Sequence, residues 1–157
     1  MMSEAPFRFL VVCTANVCRS PMAEAAMQHA IHARGLRAEV SSAGVEAAPD
    51  RGAHSLSVHT VAAAGLGDLS SHRTRLLSSR LVATADFVLC MEHAHRDAIV
   101  ARAPEAAGRV RLLGHWQGVE ITDPVDGTDQ DFVECLKLLN TCIDEWLTRL
   151  ARMGLLK

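Results

Sequence analysis

The sequence has no large excess of charge of either sign, no membrane-length apolar run and no framework of paired cysteines. Its 16 basic and 18 acidic residues give a formal net charge of −2, without the broad positive field typical of proteins that bind nucleic acid or anionic membranes. No apolar run reaches spanning length, and the N-terminal residues lack a secretory signal. Five cysteines, an odd number, do not suit a secreted disulfide scaffold. We therefore expect a cytoplasmic protein with reduced thiols and with no nucleic-acid or membrane partner.

Length and composition favour a single folded unit. The chain has 157 residues, of which 49% are hydrophobic, and this is enough apolar material to fill one core. The sequence shows no internal repeat, linker or low-complexity tract. We therefore expect one domain over residues 1–157, acting as a monomer.

Short apolar runs alternate with segments that carry helix start and stop signals. Strands that alternate with helices are typical of a parallel sheet joined by right-handed crossovers. We therefore expect an α/β fold, in which a four-stranded parallel sheet has helices on both faces. The predicted strands are 7–12, 37–42, 86–91 and 110–113, and the predicted helices are 21–34, 55–64, 95–102 and a last one that begins near residue 128.

The segment VVCTANVCRSP forms the loop that follows the first predicted strand. It places Cys13 at the end of that strand and Arg19 six positions later, next to the start of a helix. Ligands of parallel sheets bind beyond the carboxyl ends of the strands, and the backbone N–H groups of a loop ahead of a helix can surround an anion. The residues expected to bind phosphate are Thr14, Ala15, Asn16, Val17, Cys18 and Ser20.

Each polar residue of this loop suggests a chemical role. The positive field of the helix N-terminus favours thiolate over thiol, so Cys13 is the candidate nucleophile. Arg19 presents a planar fork of donors that can hold two phosphoryl oxygens at once. Asn16 is the candidate for a left-handed backbone, since the loop holds no glycine. Ser20 either caps the helix that starts at Pro21 or donates its hydroxyl to the Cys13 sulfur.

The same loop argues against other kinds of site. It lacks the glycines of the GxxxxGK[ST] and GxGxxG nucleotide-binding patterns. No second cysteine pair or CxxC spacing supports zinc, so we expect no metal and no cofactor. The other three cysteines fall in apolar patterns and are expected to pack in the core, and two histidines are expected to face solvent. These residues are Cys90, Cys135, Cys142, His93 and His95.

The loop CTANVCRSP resembles the phosphate-binding loop of the low-molecular-weight protein tyrosine phosphatases, in which a cysteine, five residues and Arg-Ser-Pro stand near the N-terminus. Four further segments occur in that family's order and approximate spacing: SSAG at 41–44, SSHRTR at 70–75, ADFVLCMEHAH at 85–95 and TDP at 122–124. The resemblance implies a four-stranded parallel sheet, a covalent thiophosphate intermediate on Cys13, and neither metal nor organic cofactor.

The resemblance also assigns roles outside the loop. It makes Asp123 the general acid, which protonates the leaving oxygen and then activates water. It implies that Ser42 and His72 brace the loop by hydrogen bonds, together with Asn16 and Ser20. For His72, the alternative is an ordinary exposed loop histidine.

The sequence departs from the family's pattern in three ways. Ala15 stands where the family usually has glycine, and a positive φ there would strain the loop by roughly 1 kcal/mol. Val125 and the alanines of residues 47–53 stand where the family commonly has aromatic side chains, which would stack on a phosphotyrosine ring. The chain has no tyrosine, so control by tyrosine phosphorylation, seen in some relatives, is not available to it.

Three hypotheses of function follow. The leading one is a metal-independent phosphomonoester hydrolase that acts on a phosphotyrosine protein or a small aryl phosphate, with inorganic phosphate or vanadate as ligand. The second is an arsenate-reductase-like thiol enzyme, in which Cys90 resembles a resolving cysteine although the next expected cysteine is missing. The third is a catalytically weak phosphate-binding module. We also expect a reversible Cys13–Cys18 disulfide under peroxide, which mass spectrometry of treated protein would detect.

Overall fold

The computed structural model describes residues 5–157. All four predicted strands and four predicted helices are present, with ends that differ from the prediction by no more than two residues. A short helix at Ser79–Thr84 and a 3₁₀ helix at Pro104–Arg109 were not predicted, because six-residue elements carry little periodicity. In chain order the elements are β1 Phe7–Cys13, α1 Arg19–Ala33, β2 Ala38–Gly44, α2 Ser55–Ala63, α3 Ser79–Thr84, β3 Phe87–Cys90, α4 His93–Arg102, the 3₁₀ helix, β4 Val110–Leu112 and α5 Asp129–Arg152.

The strands form one parallel sheet in the order β2-β1-β3-β4. The chain runs from β1 to β2 on one side and returns to β3 on the other, so the strand order reverses beside β1. Such a switch point opens a crevice at the carboxyl ends of the strands. The predicted α/β fold is confirmed, and the loop after β1 lies in that crevice.

The sheet is covered on both faces, and alternate residues of β1 contribute to each side. Phe9 and Val11 pack against α1, α2 and α5. Leu10 and Val12 pack against α3, α4 and the 3₁₀ helix. All four side chains are at most 2% exposed, so β1 is a central strand that holds the following loop in a fixed position.

The helix α5 supplies most of one covering layer. Its N-cap is Thr128, and the predicted capping box forms: the Asp131 N–H donates to Thr128 Oγ1 at 3.3 Å, and the Thr128 N–H donates to Asp131 Oδ2 at 2.8 Å. The predicted apolar stripe is buried against the sheet and α1. Its residues are Phe132, Cys135, Leu136, Leu139, Ile143, Trp146 and Leu150.

The helix α1 starts at Arg19, two residues before the predicted start. Its N-cap is Cys18, and no side chain caps it. The prediction that Ser20 caps this helix is wrong, because Ser20 lies inside the first turn and its hydroxyl faces the loop. Of the two roles considered for Ser20, contact with the Cys13 sulfur is the one the structure shows.

None of the helices within residues 5–157 combines the length and the low polarity needed to cross a lipid bilayer.

Candidate active site

The loop from Thr14 to Cys18 leads from the carboxyl end of β1 into α1. Asn16 has a φ of 61°, so it takes the left-handed conformation expected of it. Ala15 is not among the described residues with positive φ. The backbone strain expected at Ala15 is therefore absent, because the neighbouring asparagine makes the left-handed turn.

The backbone amides of this loop have no protein partner. Among residues 5–157, no N–H from Thr14 to Cys18 donates a hydrogen bond to a backbone or side-chain oxygen. Buried backbone donors are paired in more than about 90% of cases, so five successive free amides ahead of a helix are unusual. Together with the dipole of α1, they form a cradle suited to an anion.

Cys13 lies at the base of this cradle and is 3% exposed. Its Sγ is 3.0 Å from the hydroxyl oxygen of Ser20. Asn16 Nδ2 donates to that same oxygen at 2.8 Å, so the Ser20 hydrogen has two acceptors within reach, the Cys13 sulfur at 3.0 Å and the Ala43 carbonyl oxygen at 3.5 Å. The Ser20 hydroxyl is thus the hydrogen-bond partner of the Cys13 sulfur.

The remaining cysteines are unsuited to act as nucleophiles. Burial raises the pKa of Cys18, Cys90 and Cys135 to about 12, and that of Cys142 to about 11. Thiols with such pKa values stay protonated near neutral pH. Cys90, Cys135 and Cys142 are buried in the core, which confirms that part of the prediction.

The side chain of Asn16 connects the loop to the strand and the segment beside it. Its Nδ2 also donates to Ser42 Oγ at 3.0 Å, and its Oδ1 accepts the Arg75 N–H at 2.9 Å. His72 Nε2 donates to the Asn16 carbonyl oxygen at 2.9 Å. The structure thus brings Asn16, Ser20, Ser42 and His72 into one hydrogen-bonded group, and His72 is not an ordinary exposed loop histidine.

Arg19 is a buried cation, only 2% exposed. Its Nη1 donates to the Glu92 carboxylate and, at 2.8 Å, to the Ile121 carbonyl oxygen. Its Nη2 lies 3.3 Å from Thr14 Oγ1 and 3.6 Å from Asp123 Oδ2. Its Nε has no hydrogen-bond partner within the described chain, so one donor of a fully charged group is left for a ligand.

Asp123 stands on the loop between β4 and α5, across Arg19 from the cradle. Its Oδ1 accepts the Val125 N–H at 3.1 Å, and its side chain is 38% exposed. A cavity of about 460 Å³ opens beside it, with Ile121, Pro124 and Leu138 among its apolar lining residues. Val125, which is 40% exposed, takes the place of an aromatic wall.

Three residues of the site were not predicted from the sequence. Glu92, the N-cap of α4, pairs with Arg19, whose hydrogen bond lowers the pKa of Glu92. His95 is 3% exposed and lies 2.8 Å from Thr14 Oγ1, so the prediction that it faces solvent is wrong, whereas His93 is exposed as predicted. The α4 helix begins at His93, two residues early, and this turns the His95 ring back towards the loop.

Gly44 is the third missed residue. A Cβ atom there would stand 2.5 Å from the Thr14 carbonyl oxygen and 2.9 Å from the Asn16 nitrogen. The end of β2 therefore approaches the loop so closely that only glycine fits. The SSAG segment was a sequence signal for this position. Glycine is needed there because of a close contact in space, which cannot be inferred from the spacing of residues along the chain.

In residues 5–157, no three His, Cys, Asp or Glu side chains converge to form a metal site. Metal-independent chemistry stays a prediction.

Comparisons with known proteins agree with this geometry. A family model described as low molecular weight phosphotyrosine protein phosphatase matches residues 8–154. The curated low molecular weight protein-tyrosine-phosphatase Wzb of Escherichia coli is 37% identical over 138 residues, which cover 87% of this chain and 90% of that protein.

Solved structures of relatives share the fold. Wzb of Vibrio vulnificus in complex with benzylphosphonate has a TM-score of 0.84 and 30% identity, over 92% of this chain and 99% of that chain. The YwlE arginine phosphatase of Geobacillus stearothermophilus has a TM-score of 0.85 and 33% identity, over 96% of each chain. The chain therefore belongs to the low-molecular-weight protein tyrosine phosphatases, a family of cysteine-dependent phosphatases.

Proposed function

We propose that this chain is a metal-independent phosphomonoester hydrolase that acts on phosphotyrosine in proteins or on small aryl phosphates. Cys13 is the nucleophile, Arg19 binds the phosphoryl group, and Asp123 is the general acid and base. The observation that carries the proposal is the set of unpaired donors around Cys13: the amides of residues 14–18 and the buried Nε of Arg19. Unpaired donors of this kind are costly to bury unless an anion fills the loop.

The first chemical step forms a bond between sulfur and phosphorus. The Cys13 thiolate attacks phosphorus while the bond from phosphorus to the ester oxygen breaks. The Asp123 carboxyl gives its proton to the departing oxygen, and the loop amides with Arg19 hold the three non-bridging oxygens. The product alcohol leaves, and a thiophosphate remains on Cys13.

The second step returns the enzyme to its starting state. The Asp123 carboxylate takes a proton from water, and the water oxygen attacks phosphorus. The bond between sulfur and phosphorus breaks, inorganic phosphate leaves, and Cys13 is again a thiolate. The Ser20 hydroxyl, 3.0 Å from Cys13 Sγ, stabilises the departing sulfur in this step.

The cavity beside Asp123 offers space for a leaving group. Its lining includes the apolar Ile121, Pro124 and Leu138, but also four acidic residues besides Asp123 and none of residues 13–20, so the seating of a substrate ring there is part of the proposal. Because Val125 replaces an aromatic wall, one ring contact worth about 0.5–1.5 kcal/mol is missing. We therefore expect phosphotyrosine peptides to bind weakly but still to be hydrolysed. One relative is named as an arginine phosphatase, YwlE of Geobacillus stearothermophilus, so phosphoarginine is the substrate to compare.

The two alternatives have less support. An arsenate-reductase-like route needs a reactive second cysteine, but Cys90 is 0% exposed and burial raises its pKa to about 12. A binding module without turnover is opposed by the presence of Cys13, Arg19 and Asp123 together. Phosphate or vanadate binding without hydrolysis would favour the module.

Hydrolysis assays in the presence of a metal chelator test the proposal. The substrates are p-nitrophenyl phosphate, phenyl phosphate, a phosphotyrosine peptide and phosphoarginine. Cys13→Ser is expected to lose turnover. Asp123→Asn is expected to lose about 10²–10⁴-fold in kcat, and more with phenyl phosphate than with p-nitrophenyl phosphate, because the poorer leaving group needs the proton more. Asp129→Asn, an exposed residue of the α5 first turn, is the matched control.

Wild-type turnover that survives in Cys13→Ser would overturn the proposal. Equal effects of Asp123→Asn on both aryl esters would remove Asp123 from the role of acid. The single domain over residues 1–157, the monomeric state, the cytoplasmic location and the Cys13–Cys18 disulfide stay predictions.

A further inference from the structure

The ring of His95 uses both of its nitrogen atoms. Nδ1 lies 3.1 Å from the backbone nitrogen of Glu92, which can only donate. Nδ1 must therefore accept, and the hydrogen of the neutral imidazole must be on Nε2. The structure thus fixes the tautomer of a histidine that is buried beside the phosphate loop.

The Nε2 hydrogen is donated to the hydroxyl of Thr14, at 2.8 Å. Arg19 Nη2 donates to the same oxygen at 3.3 Å. These two donors use both lone pairs of Thr14 Oγ1, and the described contacts leave its own hydrogen unused. Thr14 is the first residue after Cys13, so this remaining donor belongs to the loop that holds the phosphoryl group.

The His95 ring also contacts the second residue that orients Arg19. Its Nδ1 accepts the backbone N–H of Glu92 at 3.1 Å, and its Nε2 lies 3.8 Å from Glu92 Oε2. The Glu92 carboxylate pairs with Arg19 Nη1. The Thr14 hydroxyl and the backbone of Glu92 are therefore both held by one imidazole.

We propose that His95 is a positioning residue of the phosphate site, which fixes Thr14 and Glu92 around Arg19 so that Arg19 Nε and the Thr14 hydroxyl hydrogen face the phosphoryl oxygens. The inference rests on the proposed function, because it concerns the same site. His95 itself touches neither the nucleophile nor the phosphoryl group.

The arrangement requires a neutral imidazole. A proton on Nδ1 would turn that acceptor into a donor facing the Glu92 N–H. The charged groups around the ring are Arg19, Glu92, Asp123 and Glu120; burial and Arg19 lower the pKa of His95 from 6.5, and the acids oppose this. His95 is thus neutral at pH 7 and becomes charged only as the pH falls below 6.5.

Glu92 does not change charge over the same range. The hydrogen bond from Arg19 lowers its pKa below 4.5, so Glu92 stays ionised while His95 titrates. A loss of phosphate affinity on acidification that is larger in wild type than in His95→Gln therefore reports the protonation of His95 and not of Glu92.

Calorimetric titration with inorganic phosphate tests the inference in His95→Gln, Thr14→Val and the double variant. Glutamine at this third helical position can still accept the N-cap N–H, so the helix cap is kept while the contact to Thr14 is lost. Each single variant is expected to bind phosphate about 10-fold more weakly. The double variant is expected to match the singles, because all three lack the same hydrogen bond.

Three further variants or conditions separate positioning from a general effect on folding. Thr14→Ser keeps the hydroxyl and should restore binding, and His93→Gln, an exposed neighbour in the same turn, should bind like wild type. Wild type should lose affinity below pH 6.5 relative to His95→Gln. The ionisation of phosphate itself changes the affinity of both proteins equally, so it cancels in the ratio of their dissociation constants.

Additive losses in the double variant, or the same pH profile in wild type and His95→Gln, would overturn the inference. These outcomes are distinct from failure of the proposed function. Phosphate binding that depends on His95 without hydrolysis of any ester would refute the enzyme and leave the positioning role intact. Hydrolysis by wild type together with unaltered phosphate binding in His95→Gln would refute the positioning role and leave the enzyme intact.

Discussion

Single residues determine the shape of the phosphate loop. Asn16 makes the left-handed turn and pairs with three neighbouring segments, while Gly44 lets β2 pass close behind the loop. Ser20 and Arg19 then direct their donors inward. The loop therefore keeps its shape through contacts that surround it, and its amides remain free for a ligand.

Replacement of Gly44 by alanine tests this account of the loop. Its Cβ would meet backbone atoms of Thr14 and Asn16 at 2.5 and 2.9 Å, and backbone cannot move aside as a flexible side chain can. We expect the free energy of unfolding to fall by about 1–3 kcal/mol, with weaker phosphate binding. Chemical denaturation and calorimetry measure the two effects.

Gly108→Ala is the control, since a Cβ at Gly108 has no atom within 4 Å and its φ is not positive. A stable Gly44→Ala protein that binds phosphate normally would show that the close approach of β2 does not shape the loop.

The residues of the loop could be identified from the sequence, because Cys13, Arg19 and the following helix signal lie within a few positions of one another. Glu92 and His95 could not, because their roles depend on how α4 meets the loop in space. Asp123 lay between these cases: an Asp-Pro pair is an ordinary turn signal, and only resemblance to the family selected it.

At the scale of elements, the ends of helices position the chemistry. The N-terminus of α1 faces the cradle, the N-cap of α4 supplies Glu92, and α5 begins just after the loop that carries Asp123. These ends were also the least predictable features. The α1 and α4 helices each begin two residues early, because contacts with the loop stabilise turns that lack standard capping residues.

The N-cap of α5 offers a test at this scale. Thr128→Ala removes the side-chain acceptor of the Asp131 N–H and should lower the free energy of unfolding by about 1 kcal/mol. Thr128→Ser keeps the acceptor and should behave like wild type in urea denaturation. Equal stability of Thr128→Ala and wild type would show that the capping box does not hold the start of this helix.

At the scale of the whole molecule, the sheet order places the site. The alternation of strands and helices was enough to predict a parallel sheet covered on both faces. The order β2-β1-β3-β4 was not predicted, because pairing between strands far apart in sequence leaves no local signal, and the family resemblance implied only four parallel strands. This order puts β1 in the middle and opens the crevice at Cys13, so one fold-level feature brings the loop, α4 and Asp123 together.

The central claim is that a phosphoryl group passes through Cys13, and the most direct test is to trap that intermediate. Wild type and Asp123→Asn would be mixed with p-nitrophenyl phosphate and quenched in alkaline denaturant, and their peptides analysed by mass spectrometry. We predict the added mass of one phosphoryl group on the peptide that contains Cys13, with more of it in Asp123→Asn and none in Cys13→Ala. Turnover with this peptide unmodified throughout, or with the phosphoryl group on another residue, would contradict the account.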